Sequence, residues 1–229
     1  VYDRDGQPFG HGFFNPKAKV PLRIFRHGRE PLEPDYFEQA IRSAVALRLD
    51  RLRLPELTDA FRVIHSDGEG IPGLMVDRFG DTLAIELSTT GAHQRVVEWL
   101  PLLHELLGTK RAVLHFDEVA ARAEVLSPVL VNEQLAQDSA KLSGTRITEH
   151  DVRYGVSFEH GHKTGFFCDQ RDNRVQFARW VRDARVLDVC CYTGGFSIAA
   201  KKLGGAAEVT GVDLDETAIA QAKKNANLN

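Results

Sequence analysis

The chain has 229 residues, 43% of them hydrophobic and 27% charged, and a formal net charge of −3. That is enough apolar material for one large or two small cored domains, with no apolar run near the length of a membrane span and no low-complexity tract. A charge so close to neutral supplies no overall field to draw in nucleic acid, so any RNA contact has to come from local basic patches.

The amino end, Val1-Tyr2-Asp3-Arg4-Asp5, has neither an initiator methionine nor the basic-then-apolar order of a signal peptide, and is expected to be cut. Residues 1–27 are punctuated by glycine and then alternate, as in Val20-Pro21-Leu22-Arg23-Ile24-Phe25-Arg26, which predicts short strands joined by turns. Pro31 and Pro34 bracket a linker. Asp35 then caps an expected amphipathic helix with apolar residues at Phe37, Ile41, Ala44, Val45, Leu47 and Leu49. Glycines at 68, 70, 73 and 80 separate alternating runs at 61–65, 73–77 and 82–87, which read as a small antiparallel sheet. A helical period over 93–107 ends at Gly108, and a strand is expected at 112–116. Residues 145–149 and 154–159 read as paired strands. The expected division is 1–30, 31–144 and 145–229, the middle part mixed α+β.

Residues 185–200 read Arg-Val-Leu-Asp-Val-Cys-Cys-Tyr-Thr-Gly-Gly-Phe-Ser-Ile-Ala-Ala: a buried strand, a tight glycine turn and a helix closing near Gly204-Gly205. Gly194 and Gly195 let the backbone bend sharply and approach a ligand, and Asp188 at the strand end can accept hydrogen bonds there. A second strand over 208–212 ends in Asp213, 25 positions after Asp188, where a carboxylate can hold the two hydroxyls of a ribose. An ordinary strand–turn–helix with glycines chosen for packing stays open at this point. The G-x-G-x-x-G order is absent. A dinucleotide needs it to bring a helix amino terminus to its pyrophosphate, whereas S-adenosylmethionine has no phosphate, so the methyl donor is favoured.

The segment Gly161-His162-Lys163-Thr164-Gly165-Phe166-Phe167-Cys168-Asp169-Gln170-Arg171-Asp172-Asn173-Arg174, with Cys191-Tyr192-Thr193-Gly194-Gly195-Phe196-Ser197, resembles the bacterial 23S rRNA cytosine-5 methyltransferases of the RlmI type. The stretch 62–80, with Gly70-Ile71-Pro72-Gly73-Leu74-Met75-Val76-Asp77-Arg78, is similar to that family's central domain, and 1–27 to the closing strands of its PUA domain. The resemblance implies an α/β, Rossmann-like methyltransferase domain, only its first part present, behind a mixed α+β domain and the tail of a PUA-like β domain. It implies that Phe166, Phe167, Asp169, Gln170 and Arg171 cover S-adenosylmethionine. Asp188, Tyr192, Thr193, Gly194 and Gly195 would surround its amino-acid and sulfonium end, and Asp213 would hold its ribose. Read bottom-up, the two aromatics beside Lys163 and Arg171 offer stacking surface and forked donors together, while a solvated helix start with a buried Phe pair remains the alternative.

Cytosine-5 chemistry needs a thiolate that adds to C6 of the base. None of Cys168, Cys190 and Cys191 matches that role: Cys190 is expected to continue the buried strand and Cys191 to pack behind the loop, and no catalytic residue is assigned. In the family the nucleophile lies further along, so these 229 residues alone are expected to be inactive. The cysteines also lack the spaced pairs of a zinc or disulfide framework, which points to a reducing, cytoplasmic setting and no metal. Expected partners are 23S ribosomal RNA and no membrane, with a homodimer left open. Between His160 and Arg185 six Lys or Arg stand against three Asp, which suits phosphate contact. The arginines at 23, 26, 29, 42, 48, 51 and 53 form a second run that also reads as a solvated helix face. Two rivals remain: a methyltransferase of the same build acting on guanine or a small molecule, and a non-catalytic RNA-binding or cofactor-binding protein.

Overall fold

The structure, a computed structural model, describes residues 1–115, 118–125, 141–159 and 164–229. The chain divides into two compact units, one of Val1–Leu54 with Arg62–Leu142 and one of Pro55–Phe61 with Ser143–Asn229.

In the first unit, β1 (Gly10–Phe14) and β2 (Leu22–His27) pair antiparallel, as the alternation predicts. Helix α1 (Tyr36–Ala46) buries Ile41, Ala44 and Val45 and runs on into a π-helical turn, Leu47–Arg51. Asp35 stands at its N-cap position without a side-chain bond to the backbone; its carboxylate instead accepts from Gln39 Nε2 at 3.1 Å, so the expected cap is corrected to a side-chain pair. The rings of Phe13, Phe25, Phe37 and Trp99 pack in a chain with centroids 5.1–5.6 Å apart, which gives this unit an aromatic centre.

Strands β3 (Ala60–His65), β4 (Leu74–Phe79), β5 (Thr82–Leu87) and β6 (Arg111–His115) form one sheet in that order. The pairing of β4 with β5 is antiparallel, as the alternation predicts, and β6 makes the sheet mixed. Strand β6 runs parallel to β5 because α2 (Thr90–Leu107) carries the chain back between them. Thr89 caps α2 by accepting from Ala92 N–H at 3.1 Å, and left-handed Gly108 ends it. A short α3 (Glu118–Glu124) follows. Many arginines of the basic run are already paired with acids of this unit: Arg23 with Glu124, Arg26 with Glu33, Arg42 with Glu38 and Arg48 with Glu69.

In the second unit, β7 (Gly144–Glu149) and β8 (Val152–Ser157) form a hairpin whose turn residues, His150 and Asp151, are both left-handed, the backbone that matches strand twist. The chain then passes through α4 (Arg171–Ala178), β9 (Arg185–Val189), α5 (Gly195–Lys202), β10 (Glu208–Val212) and α6 (Glu216–Ala226). Strands β9 and β10 are parallel and in register, with Asp188 opposite Gly211. Val181, Ala200 and Ala206 form the core beside them, with Phe177, Ala184, Val186 and Val209 packed on it. Val186 and Val209 turn towards that core, and Leu187 and Val189, which alternate with Val186 along β9, lie on the other face. Among the described residues no helix is long and apolar enough to cross a membrane.

Candidate functional site

The site lies at the carboxyl ends of β9 and β10, where open α/β sheets bind their ligands. Beyond Val189 the chain turns through left-handed Cys190 (φ 65°), Tyr192 (φ 49°) and Gly194 (φ 81°) before α5 begins. Two of these carry a Cβ, so the loop holds conformations that cost energy and persist only where the surroundings fix them. The surroundings do so from both strands. Cys191 N–H donates to Val212 O at 3.0 Å, and Tyr192 N–H to Asp213 Oδ2 at 2.8 Å. Asp188 Oδ2 accepts from Ser197 N–H at 3.1 Å and Ser197 Oγ at 2.6 Å, which gives a partner to an otherwise orphaned donor in the first turn of α5. Cys190 is exposed and lies past the end of β9, so its expected place in a buried strand is corrected: the left-handed turn swings it out. Cys191 is buried, and burial, then the charges of Asp188 and Asp213, push its thiol pKa up. That holds it as a thiol.

A cavity of about 320 Å³ opens beside this loop. Of the eleven residues the sequence nominates, Phe166, Phe167, Asp169, Gln170, Asp188, Tyr192, Thr193 and Gly195 line it, joined by Arg174, Cys190, Cys191 and Phe196. Arg171, Gly194 and Asp213 are not in its lining. Arg171 donates to Asp172 at 3.1 Å; Gly194 supplies the turn; Asp213 stands behind Tyr192 and accepts with Oδ1 from Asp215 N–H at 3.0 Å. Each Asp213 oxygen thus takes one backbone donor. Asp215 caps α6, accepting from Thr217 and Ala218 N–H at 2.8 and 3.1 Å. Residues 160–163, including Lys163, His160 and His162, lie outside the described residues.

The sequence reading missed what holds the aromatic pair. Arg174 forms a fork with Glu149 at 2.7 and 2.8 Å, both side chains only 3% exposed, and donates to Phe167 O at 3.2 Å. Its guanidinium lies over the Phe166 ring, 4.8 Å from the centroid. Phe166 packs on Tyr154, and Phe167 meets Tyr192 edge to face at 5.3 Å, which joins the aromatic element to the glycine loop. The Tyr154 hydroxyl donates to Gly195 O at 3.2 Å, and burial raises its pKa far above the ordinary phenol value. Arginine at 174 was visible inside the motif, but nothing local showed that its partner stands at 149.

The fold is that of the SAM-dependent methyltransferases. A protein from Streptococcus mutans assigned to that class superposes with a TM-score of 0.74 at 21% identity, over 100% of this chain and 57% of its own. A second structure, SMU.776, assigned as a methyltransferase and solved with S-adenosylhomocysteine (SAH), gives the same TM-score and identity over 99% of this chain and 57% of its own. The family model described as ribosomal protein L11 methyltransferase (PrmA) matches residues 154–229.

Over its whole length the chain is a homologue of bacterial proteins named ribosomal RNA large subunit methyltransferase I. It is 34% identical to the one from Shewanella denitrificans and 30% identical to one from Escherichia coli, and in each case spans 57% of the relative. The family resemblance of the motifs is thus matched along the entire sequence.

Proposed function

We propose that the intact protein transfers the methyl group of S-adenosylmethionine to ribosomal RNA, at C5 of a cytosine in 23S rRNA. The observation that carries this reading is the convergence on one cavity of the aromatic element at 166–170 and the left-handed loop at 190–195. That lining suits the donor. It offers aromatic surface at Phe166 and Phe167, acceptors at Asp169, Gln170 and Asp188, and a wall without a Cβ at Gly195. A pocket for a sulfonium needs stacking surface and carboxylates rather than the phosphate cradle of a dinucleotide site. When bound, S-adenosylmethionine would supply the electrophilic methyl group. The chain's own residues orient it: Phe166 and Phe167 cover it, the loop 192–195 approaches its amino-acid end, and Asp213, at the carboxyl end of β10, takes the ribose hydroxyls. Arg171, beside the aromatic pair, completes the cover from outside the cavity lining.

Ribosomal RNA as substrate is supported by homology to relatives that carry that name. Residues 1–30 are read as the end of a PUA-like RNA-binding domain, supported by the antiparallel pair β1–β2. Cys191, held as a thiol in the loop, is a packing residue in this scheme rather than the nucleophile that attacks C6.

The test is methyl transfer by the full-length protein from labelled S-adenosylmethionine to unmodified 23S rRNA, with the product nucleoside identified by mass spectrometry. The expected product is 5-methylcytidine. Label in a guanosine, or in no RNA although the protein binds SAH, would overturn the substrate assignment. Absence of SAH binding would overturn the cofactor site itself.

A further inference from the structure

Asn225 lies on α6, the helix that follows Asp213, and its side chain is fully buried, at 0% exposure. Its Nδ2 donates to Thr193 O at 3.0 Å. Its Oδ1 accepts from Gly155 N–H at 2.8 Å and from Gln221 Nε2 at 3.0 Å. One amide thus joins three elements: the loop that lines the cavity, the hairpin strand β8 and its own helix. Gln221 in turn donates to Gly155 O at 3.0 Å, so the hairpin backbone is held at both its donor and its acceptor. Gly155 admits this because it lacks a Cβ, which would stand 2.7 Å from Gln221 Nε2 and 3.3 Å from Asn225 Oδ1.

We infer that Asn225 is a positioning residue for the cofactor loop: by drawing in the Thr193 carbonyl it holds the strained turn Tyr192–Gly194 in its binding form, and it couples that turn to the β7–β8 hairpin. This rests on the reading of the cavity as the methyl-donor site. The chemistry requires an amide. The Thr193 carbonyl needs a donor and the Gly155 N–H needs an acceptor, and Asn offers both from one planar group. A carboxylate at 225 would satisfy Gly155 but set a negative oxygen against the Thr193 carbonyl. A carboxylic acid would again have a proton to donate.

That difference supplies a test that overall stability does not mimic. In the full-length protein, Asn225→Asp, Asn225→Ala and Gln221→Ala are titrated calorimetrically with SAH at a temperature where circular dichroism shows each to be folded, from about pH 8 down to about pH 5, a range that spans the pKa of a buried carboxyl. The other ionisable groups on the surrounding elements are common to all variants: Arg146, Glu149, His150, Asp151, Arg153 and Tyr154 of the hairpin, Asp188, Cys190, Cys191, Tyr192 and Asp213 at the loop, Lys201 and Lys202 of α5, and Asp215, Glu216, Lys223 and Lys224 of α6. Asn225→Asp is expected to bind SAH about tenfold more weakly than the unaltered protein at the upper pH, the scale of one lost hydrogen bond, and to recover most of that loss at the lower pH. Asn225→Ala should stay about tenfold weaker throughout. Gln221→Ala, which keeps the Thr193 contact, should melt earlier with SAH affinity unchanged.

Coupling is reciprocal, so SAH should in turn slow hydrogen exchange of the Gly155 amide in the unaltered protein, a measurement that needs no variant to fold. Tight, pH-independent binding by Asn225→Asp would overturn the inference. So would equal affinity losses in Gln221→Ala and Asn225→Ala, or Gly155 exchange indifferent to SAH. Failure of the unaltered protein to bind SAH would strike the cofactor reading instead.

Discussion

The fork between Arg174 and Glu149 joins the hairpin to the aromatic element over the cavity, and removing one partner should cost far more than removing both. Both side chains are 3% exposed, and the two bonds measure 2.7 and 2.8 Å, so a charge stranded by a single substitution has no water to turn to. Breaking such a pair costs about 3–5 kcal/mol, while replacing both members by apolar groups of similar volume is often near neutral. Arg174→Met strands the Glu149 carboxylate, removes the donor to Phe167 O and strips the cation from the Phe166 ring, a contact worth about 2 kcal/mol when desolvated. Glu149→Leu strands the guanidinium. The double variant strands neither charge but still loses the hold on Phe167.

The expected order of stability, from urea titration of the full-length protein followed by circular dichroism, is therefore unaltered protein, then the double variant, then the two single variants, each about 3–5 kcal/mol down. SAH affinity separates the two roles. The double variant should regain most of the stability yet bind SAH poorly, because Phe166 and Phe167 have lost Arg174 beneath them. Single variants within about 1 kcal/mol of the unaltered protein would place this pair with exposed salt bridges and refute the argument from burial. Full SAH affinity in the double variant would show that Arg174 serves the fold alone.

Two further outcomes follow from the loop. Asp213→Asn leaves one acceptor oxygen where Tyr192 and Asp215 present two N–H donors, so calorimetry with SAH should show a loss of about 1.5–3 kcal/mol, whereas Asp215→Asn, still able to cap α6, should bind nearly as the unaltered protein does; the reverse pattern would mean that the wrong carboxylate has been assigned. The raised pKa of Cys191 means that the folded state prefers the thiol, so its contribution to stability is complete below the unfolded value of about 8.5 and is lost as pH rises through the folded value. Cys191→Ala should therefore show a shallower loss of stability above about pH 8.5 in denaturant titrations, and an equal slope in both proteins would refute the assignment.

What the sequence made legible was local. The strand–turn–helix at 185–202 and the strand before Asp213 each follow from a few consecutive residues, and each stands in the structure. Eight of the eleven nominated residues meet at one cavity for the same reason: they come from two short motifs whose elements the fold sets side by side. The misreadings share a cause. Asp35 was assigned a backbone cap from its position alone, but Gln39 competed for its carboxylate. Cys190 was extended from the apolar run before it, but the backbone had already turned left-handed. The strand expected at 112–116 was read without a partner, because its parallel place beside β5 depends on the crossing of α2.

The least legible part, the support beneath the loop, follows from the loop's own strain. Left-handed residues with a Cβ, such as Cys190 and Tyr192, cost about 1–3 kcal/mol each and survive only where several independent contacts over-determine them. Neighbours in the chain can supply few of these contacts, because the turn leads them away. The contacts come instead from Val212 and Asp213 at the end of the next strand, and from Asn225, 32 residues beyond Thr193. Arg174 reaches 25 residues back to Glu149 in the same way to secure the aromatic wall facing that loop. A cofactor motif is short because the ligand sees only a short stretch of backbone, whereas holding that stretch in an unfavourable shape requires the rest of the unit. The residues that touch a ligand can therefore be read from spacing, and those that keep them in place have to be read from hydrogen bonds.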